Sequence, residues 1–431
     1  MEKVIDFLSK RYKDFEIWRE CRDVKSIEDG GGGVKVDSVA KMEWAVRAFH
    51  DGKIGFAYTS GEQVDLASME QNLKFSLENS FADEYNILPE GLCENTVSCD
   101  KNIGITDDEG VANIVREMKE KASTKDLVKD IERVSASSEA KTAELYNSRC
   151  GLRSQSVVKY AAGIVLIVQK DGEEKIEWDF AIDDDIRNIN VDAIIGNAYS
   201  RGVSLLNSSP ANTGVYPVFF ENRAACDLLE VFAQSFVGEN IYKKKTMLGD
   251  GTLFSEKLNI FDDPAAAGGS VSYLFDGEGI KAEKKCLVEN GAVKKMLLDC
   301  YYGKKFESKT TGNSRRFKIA APPANGLSNV WISAGGKGAM TSALQGSGIA
   351  VGIVSLIGMH LVNPVTGELS VGFEGYMLEK GVYKKALSQV SISGNLKDIF
   401  KNVTEIGDDF AFCGQTGSPS LLVRDIVVSG V

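Results

Sequence analysis

Between residues 221 and 238 the apolar positions recur at three- and four-residue steps: Ala225, Leu228, Leu229, Phe232 and Phe236. That period lays them along one side of an α-helix, which the pattern ends near Gly238. Downstream the period shortens. Turn signals at 250–251, 262–264 and 276–279 punctuate short β-type runs, so two basic strands are expected before Lys285, with the helix packed on a sheet of hairpins.

Upstream, residues 4–12 read as a short amphipathic helix and 15–21 as a strand. Four glycines at 30–33 interrupt that strand. No Gly-Lys-Ser/Thr follows them, so the run is read as a flexible loop, a mobile flap at most, and not as a phosphate cradle. Residues 34–46 and 48–59 alternate around Asp51, Gly52 and Lys53, a hairpin signature, and 64–80 form a helix with Leu66, Met69, Leu73 and Leu77 on one side. Thr106 and Glu109 make a capping box for a second helix whose apolar face is Val111, Ile114, Val115 and Met118. Antiparallel strands are expected at 131–138, 143–146, 157–169 and 175–182, then a helix at 191–206. The break at Ser208, Ser209 and Pro210 marks a boundary.

The pattern predicts an α+β chain. An N-terminal domain, 1–208, carries helices on an antiparallel sheet; a larger, glycine-rich and β-rich α+β domain, 209–431, follows. In the second domain, strands at 284–288 and 293–298 flank an Asn290-Gly291 turn, a short helix covers 300–306, and 308–316 form a polar, flexible loop. Small residues crowd 330–352, permitting close backbone approach. Hairpins follow around 363–367 and 379–381, and a short helix presents Leu396, Ile399, Phe400 and Val403.

Composition narrows the function. With 431 residues, 43% hydrophobic and 26% charged, the chain is long enough for two cores. A net charge of −11 opposes binding to a nucleic-acid backbone, and the small basic clusters at 243–245 and 315–316 read as solvated faces. No apolar run reaches membrane-spanning length and the N-terminus is charged throughout, which predicts a cytoplasmic protein. Eight cysteines without a Cys-x-x-Cys pair fit a reducing compartment, mostly as small core residues. Only two histidines exist, so no His-x-x-x-His zinc pair can form; His50 sits at a hairpin turn and His360 reads as a core or turn residue. Acidic groups at 107–109 and 183–185 lack the alternating spacing of a calcium loop and read as helix entries.

The helix at 221–238, FDGEG (275–279), VENG (288–291), TTGNSRR (310–316) and SGNLKDIFKNV (393–403), in that order, resemble the TldD/PmbA family, historically called modulators of DNA gyrase. Weaker echoes at 51–60 and 146–151 extend the likeness over most of the chain. The resemblance implies a zinc metallopeptidase family acting on peptides, in which one member type carries the metal and a paired type does not. The catalytic type has His-Glu-x-x-x-His on this helix and a further cysteine ligand near its C-terminus. Here Glu230, Val231 and Ser235 fall at the two histidines and the glutamate, and Val231 supplies no base to activate water. A five-residue step turns about 140° off one helix face, so that motif also needs a widened turn, which this helix is expected to retain or to have lost.

The likeness is therefore to the PmbA/TldE member type. It implies no catalytic site and no metal on this chain alone, with zinc in the partner, a TldD-like zinc-bearing homologue in a heterodimer, or a second copy in a homodimer. A peptide substrate is expected, bound in extended form. Thr311, Asn313, Arg315 and Arg316 would lie near the substrate channel, and Cys413, in FCGQTGSPS, is a vestigial ligand or a packed core residue. Two other readings stay open: a self-sufficient hydrolase using Cys413, His360 and Glu230, and a regulatory adaptor without enzymatic activity.

Overall fold

In the computed structural model, which describes residues 1–89, 107–249 and 251–430, alternation that looks broken in the sequence is continuous. After α1 (Glu2–Ser9), β1 (Asp14–Gly30) and β2 (Gly33–His50) run as strands of 17 and 18 residues. Gly30 pairs with Gly33, so the four glycines close a tight hairpin and are not a flap. Gly33 has φ +98°, a conformation that a side chain disfavours, which is why glycine stands there. β3 (Lys53–Ser60) and α2 (Leu66–Asn79) follow as expected. α3 (Asp108–Ser123) is capped by Asp107, whose carboxylate accepts from the Gly110 amide at 2.8 Å. The expected capping residue Thr106 lies outside the described residues, as do Cys93, Cys99 and Asp250.

The two strands expected at 131–138 and 143–146 are one, β4 (Val128–Asn147), because its polar middle is paired on both sides. β5 (Gly151–Lys170), β6 (Glu173–Asp183) and α4 (Val191–Ser204) complete an antiparallel sheet of order β3-β2-β1-β4-β5-β6. One face of the sheet carries the helices. Phe15, Ile17, Trp44 and Val46 pack beneath α1 and α2, and Val134, Ala136, Ile164 and Leu166 beneath α3 and α4. The opposite face presents Trp18, Ala45, Ala143 and Leu145 to the C-terminal half.

That half opens with β7 (Gly214–Phe220), α5 (Asn222–Ala233), a 3-10 turn (Gln234–Phe236) and α6 (Gly238–Tyr242). The two basic strands expected before Lys285 reduce to β8 (Ile260–Asp262); the rest is irregular, with Phe254, Leu258, Tyr273 and Phe275 buried from a backbone that forms no ladder. β9 (Lys285–Glu289), β10 (Ala292–Val293), α7 (Cys300–Lys305), β11 (Ser314–Arg315), β12 (Ala324–Asn325), β13 (Val330–Ile332) and α8 (Ala339–Gly346) lead to the long strands β14 (Ile349–Ile357), β15 (Glu368–Glu379) and β16 (Val382–Asn395). After α9 (Leu396–Lys401) come β17 (Val403–Ile406), β18 (Ala411–Cys413), β19 (Thr416–Ser418) and β20 (Leu421–Ser429).

Twelve of these strands make two six-stranded sheets, β16-β15-β14-β7-β20-β17 and β10-β9-β8-β13-β19-β18, and β11 pairs with β12. α5 lies between them, against β7 and β14 on one side and β13, β18 and β19 on the other. Hence its buried set, Ala224, Ala225, Cys226, Leu228, Leu229, Phe232 and Ala233, is wider than one stripe. Phe232 lies tilted against Phe400 at 4.4 Å and meets Phe236 and Phe254 edge-on. The α+β architecture is as the pattern predicts: a helix-covered sheet, then a larger β-rich region.

Candidate functional site

α5 is tightened where a widened turn had been one expectation. The α-helix ends at Ala233 and continues as 3-10, and the Val237 amide donates to the Gln234 carbonyl. Glu230 is exposed, Val231 half-buried, and Ser235 fully buried. The Ser235 hydroxyl accepts from the Met247 amide at 3.3 Å, and its carbonyl accepts from the Thr246 hydroxyl at 2.8 Å, so this residue anchors the following loop. An exposed carboxylate, a valine and a serine used by the backbone do not form a zinc donor set. Among the described residues no cluster of three metal-ligating side chains occurs.

Cys413 packs against α5 through Cys226, whose thiol lies 3.6 Å from the Thr416 carbonyl. Donation from Cys226 lowers the Cys413 thiol, while the same contact and burial raise Cys226. Burial also pushes Asp227, the next residue along the helix, up to about 6, against the pull of Arg223. His360 is exposed on a one-turn 3-10 helix (Met359–Leu361), not in a core, and His50 is exposed at its hairpin end. No hydrogen bond or ion pair links Cys413, His360 and Glu230 among the described residues.

The polar motifs FDGEG and TTGNSRR meet elsewhere, at the seam between the two halves. The Asp276 carboxylate accepts from the amides of Glu278, Ile280 and Ser314, each at 2.9 Å, which shapes the FDGEG turn and ties it to TTGNSRR. Phe275 then lies edge-on to Trp18 of β1 at 6.2 Å. Gln155 of β5 reads the same backbone, accepting from the Leu274 amide at 2.7 Å and donating to the Phe275 carbonyl at 3.2 Å. Beside it Glu16 binds both Arg47, at 2.8 Å, and Arg316, at 2.5 Å, while Arg47 reaches Glu278 at 3.4 Å. All four side chains are buried. Burial opposes the charge on Glu16, but the two guanidinium groups outweigh it and hold its carboxyl below the usual range. Uncompensated neighbours respond the other way: burial and the Glu278 charge push Asp276 and Asp299 up to about 7.

The loop 308–316 is therefore neither flexible nor a solvated face at its C-terminal end. Asn313 has no exposed surface; its amide bridges Lys285 at 2.9 Å, Asp262 at 3.0 Å and the Gly326 carbonyl at 3.1 Å. Thr311 accepts from the Leu298 amide at 2.7 Å. Arg316 belongs to the seam, its guanidinium 4.6 Å from the Trp18 ring. Arg315 is half-buried, donates to the Leu327 carbonyl and lies over Tyr273 and Phe317. The basic pair thus splits, one guanidinium into the seam and one to its rim. The other basic cluster, Lys243, Lys244 and Lys245, is exposed as expected.

Next to the seam a cleft of about 230 Å³ separates the sheet from residues 270–277. Its floor is Trp18, Glu20, Arg22, Lys141, Gln155 and Lys159, and its far wall includes Ser272, Tyr273, Arg315 and Arg316. The charges are largely paired, Arg22 with Glu20 at 2.9 Å and Glu139 at 3.1 Å, and Lys159 with Asp184 at 2.6 Å. Such a cleft offers hydrogen bonds and balanced charge to an extended polar chain, and no assembled nucleophile and base. Sequence reading missed Glu16, Arg47 and Gln155; for the first two the signal is weak, a charged residue flanked by apolar ones inside a strand, as in Phe15-Glu16-Ile17 and Val46-Arg47-Ala48, and Gln155, between two serines, gives none.

Residues 213–430 match the model of the PmbA/TldA metallopeptidase C-terminal domain. The chain is 28% identical to a metalloprotease PmbA homolog of Buchnera aphidicola, over 68% of this chain and 63% of that protein, and 25% identical to metalloprotease PmbA of Escherichia coli, over 66% and 61%. It thus spans about three-fifths of the length of these curated relatives. TldE from Thermococcus kodakarensis superposes with a TM-score of 0.89 at 19% identity, covering 100% of both chains; a putative modulator of DNA gyrase from Thermotoga maritima does so at 0.86 and 21%, covering 99% of each. At these identities the superpositions establish the fold. With the domain match covering half the chain, the FDGEG–TTGNSRR seam and the α5 sandwich are those of a protein that belongs to the PmbA/TldD metallopeptidase family.

Proposed function

We propose that this chain is a PmbA/TldE-type subunit of a TldD/PmbA-type zinc metallopeptidase, contributing to peptide binding and processing while a TldD-like homologue supplies the zinc. The observation that carries this reading is the state of α5, where Glu230 faces solvent, Val231 has no polar atom and Ser235 is sealed against Met247. The seam cleft beside Arg315 and Gln155 is the place for an extended peptide, and its balanced charge suits a mixed sequence. The net charge of −11 argues against direct nucleic-acid contact. No helix among the described residues is long and apolar enough to cross a membrane, and a cytoplasmic site of action fits the six free thiols among them.

Elemental analysis of the chain purified alone, without added metal, is expected to find far less than one zinc per chain, and peptide cleavage is expected only after a zinc-bearing homologue is added. About one zinc per chain, lost on Cys413→Ser, would overturn the proposal. So would cleavage by the chain alone that persists in chelator.

A further inference from the structure

Cys226 lies on α5 with its thiol aimed into the β18–β19 hairpin. Its sulfur is 3.6 Å from the Thr416 carbonyl and 3.9 Å from that of Ala411, on opposite strands of the hairpin. Cys413 is the cross-strand partner of Thr416, on the last rung before the turn at Gly414 and Gln415. That rung brings it to the same sulfur: the Cys413 amide points at Cys226, and the Cys226 thiol donates to the Cys413 sulfur. Two thiols far apart in the sequence thus meet as a pair. Cys226 is 1% exposed and Cys413 half-buried beside a half-buried turn, so small solutes reach the pair through Cys413.

Other thiols of the chain are placed differently. Cys21, Cys286 and Cys300 have charged side chains as their electrostatic neighbours and no second thiol. The hairpin can also move as a disulfide requires. A sulfur–sulfur bond is shorter and stricter in geometry than a thiol hydrogen bond, so one side must shift. α5 is held between two sheets, but β18 is a three-residue strand at the end of its sheet, and β19 is the strand it pairs with. A small displacement of that edge brings Cys413 to Cys226 and leaves the rest of the sheet in place.

We infer that Cys226 and Cys413 form a reversible dithiol–disulfide site oxidised by hydrogen peroxide, in which Cys413 attacks and Cys226 resolves. The Cys413 sulfur, as thiolate, attacks one peroxide oxygen; an S–O bond forms, the O–O bond breaks, and the departing hydroxide takes a proton to leave as water. Cys226 then attacks the sulfenic sulfur. The S–S bond forms, the S–O bond breaks, and the hydroxide leaves as water with the Cys226 proton. Two thiols are oxidised, one peroxide is reduced, and a dithiol reductant reverses the step. The bond ties the hairpin to α5 and closes a long loop of the C-terminal half, which should then resist thermal unfolding more than the reduced chain does. A transient disulfide of this kind suits a compartment that keeps other thiols reduced.

The test uses the whole chain, reduced, held in chelator and exposed to a small excess of hydrogen peroxide. Peptide mapping without reductant is expected to find the Cys226 and Cys413 peptides joined in most chains, about 2 Da lighter than the two free peptides together, and separated again by dithiothreitol. In Cys226→Ser the sulfenic acid on Cys413 has no resolving thiol, so dimedone should label Cys413 about tenfold more than in the wild type. Two thiols that only pack together would not produce that contrast. Should the serine variant misfold, the wild-type map alone decides. Oxidised wild-type chain in which both cysteines stay free, or in which Cys413 is over-oxidised while Cys226 remains a thiol, overturns the inference. With zinc and peptide both absent, neither result bears on the subunit proposal, which is judged separately.

Discussion

A carboxylate at the seam is stabilised or penalised by its partners alone. Glu16 answers two guanidinium groups in a site closed to water, so Glu16→Gln leaves Arg316 without a counter-charge and is expected to cost about 3 kcal/mol in denaturant unfolding. Asp299 is the opposite case. It caps α7 through the Tyr302 amide at 2.8 Å, but burial and Glu278 hold its carboxyl at about 7, against an ordinary 3.8. A group raised in this way favours the fold fully below its unfolded value, and that contribution is lost as pH rises through 7. Asp299→Asn keeps the cap and removes the charge. It should match the wild type near pH 4 and exceed it by on the order of 1–2 kcal/mol at pH 8, as read by thermal melts across that range. The same residues show where sequence reading stops. Asn313 and Arg316 stand out in TTGNSRR as polar and charged, which suggests a surface; their partners Asp262 and Glu16 lie 51 and 300 residues away and no local pattern announces them.

Among the elements, α5 is the most legible and the most constrained. Its three- and four-residue spacing is the signature of burial on one side, while the second sheet, which buries Ala224 and Cys226 as well, is invisible to that pattern. Phe232 touches three other rings at its centre, so Phe232→Ala should destabilise the C-terminal half by about 3–5 kcal/mol, measured as a lowered denaturant midpoint with unchanged slope. Turns were equally legible. Asp51-Gly52, Asn290-Gly291 and Lys380-Gly381 all have positive φ at both residues, the conformation that hairpin turns demand. The strands between 239 and 285 misled because short β-type runs ended by turns can equally be irregular chain pinned by single buried aromatics.

Across the whole molecule the two halves are joined by an apolar cluster and an ionic one. Trp18, Ala45, Ala143 and Leu145 enclose Phe275 and Ile319, and the Glu16–Arg47–Glu278–Arg316 group closes beside them. That linkage should make calorimetric unfolding a single transition, and Phe275→Ala, which opens the apolar part, should lower it and separate it into two. A single unsplit transition in the variant would mean that the halves are coupled through other contacts, such as Arg223 with Glu177 at 3.0 Å.

Periodicity, turn residues and motif order in the chain suffice for the α+β class, the helix at the centre of the second half and the family, because these depend on neighbours within a few residues and on local steric limits. The seam, the burial of Asn313 and Arg316 and the pairing of Cys226 with Cys413 were settled only by tertiary structure. Each depends on which distant segments meet, and the desolvation that turns a polar side chain into a buried partner has no counterpart in the linear pattern.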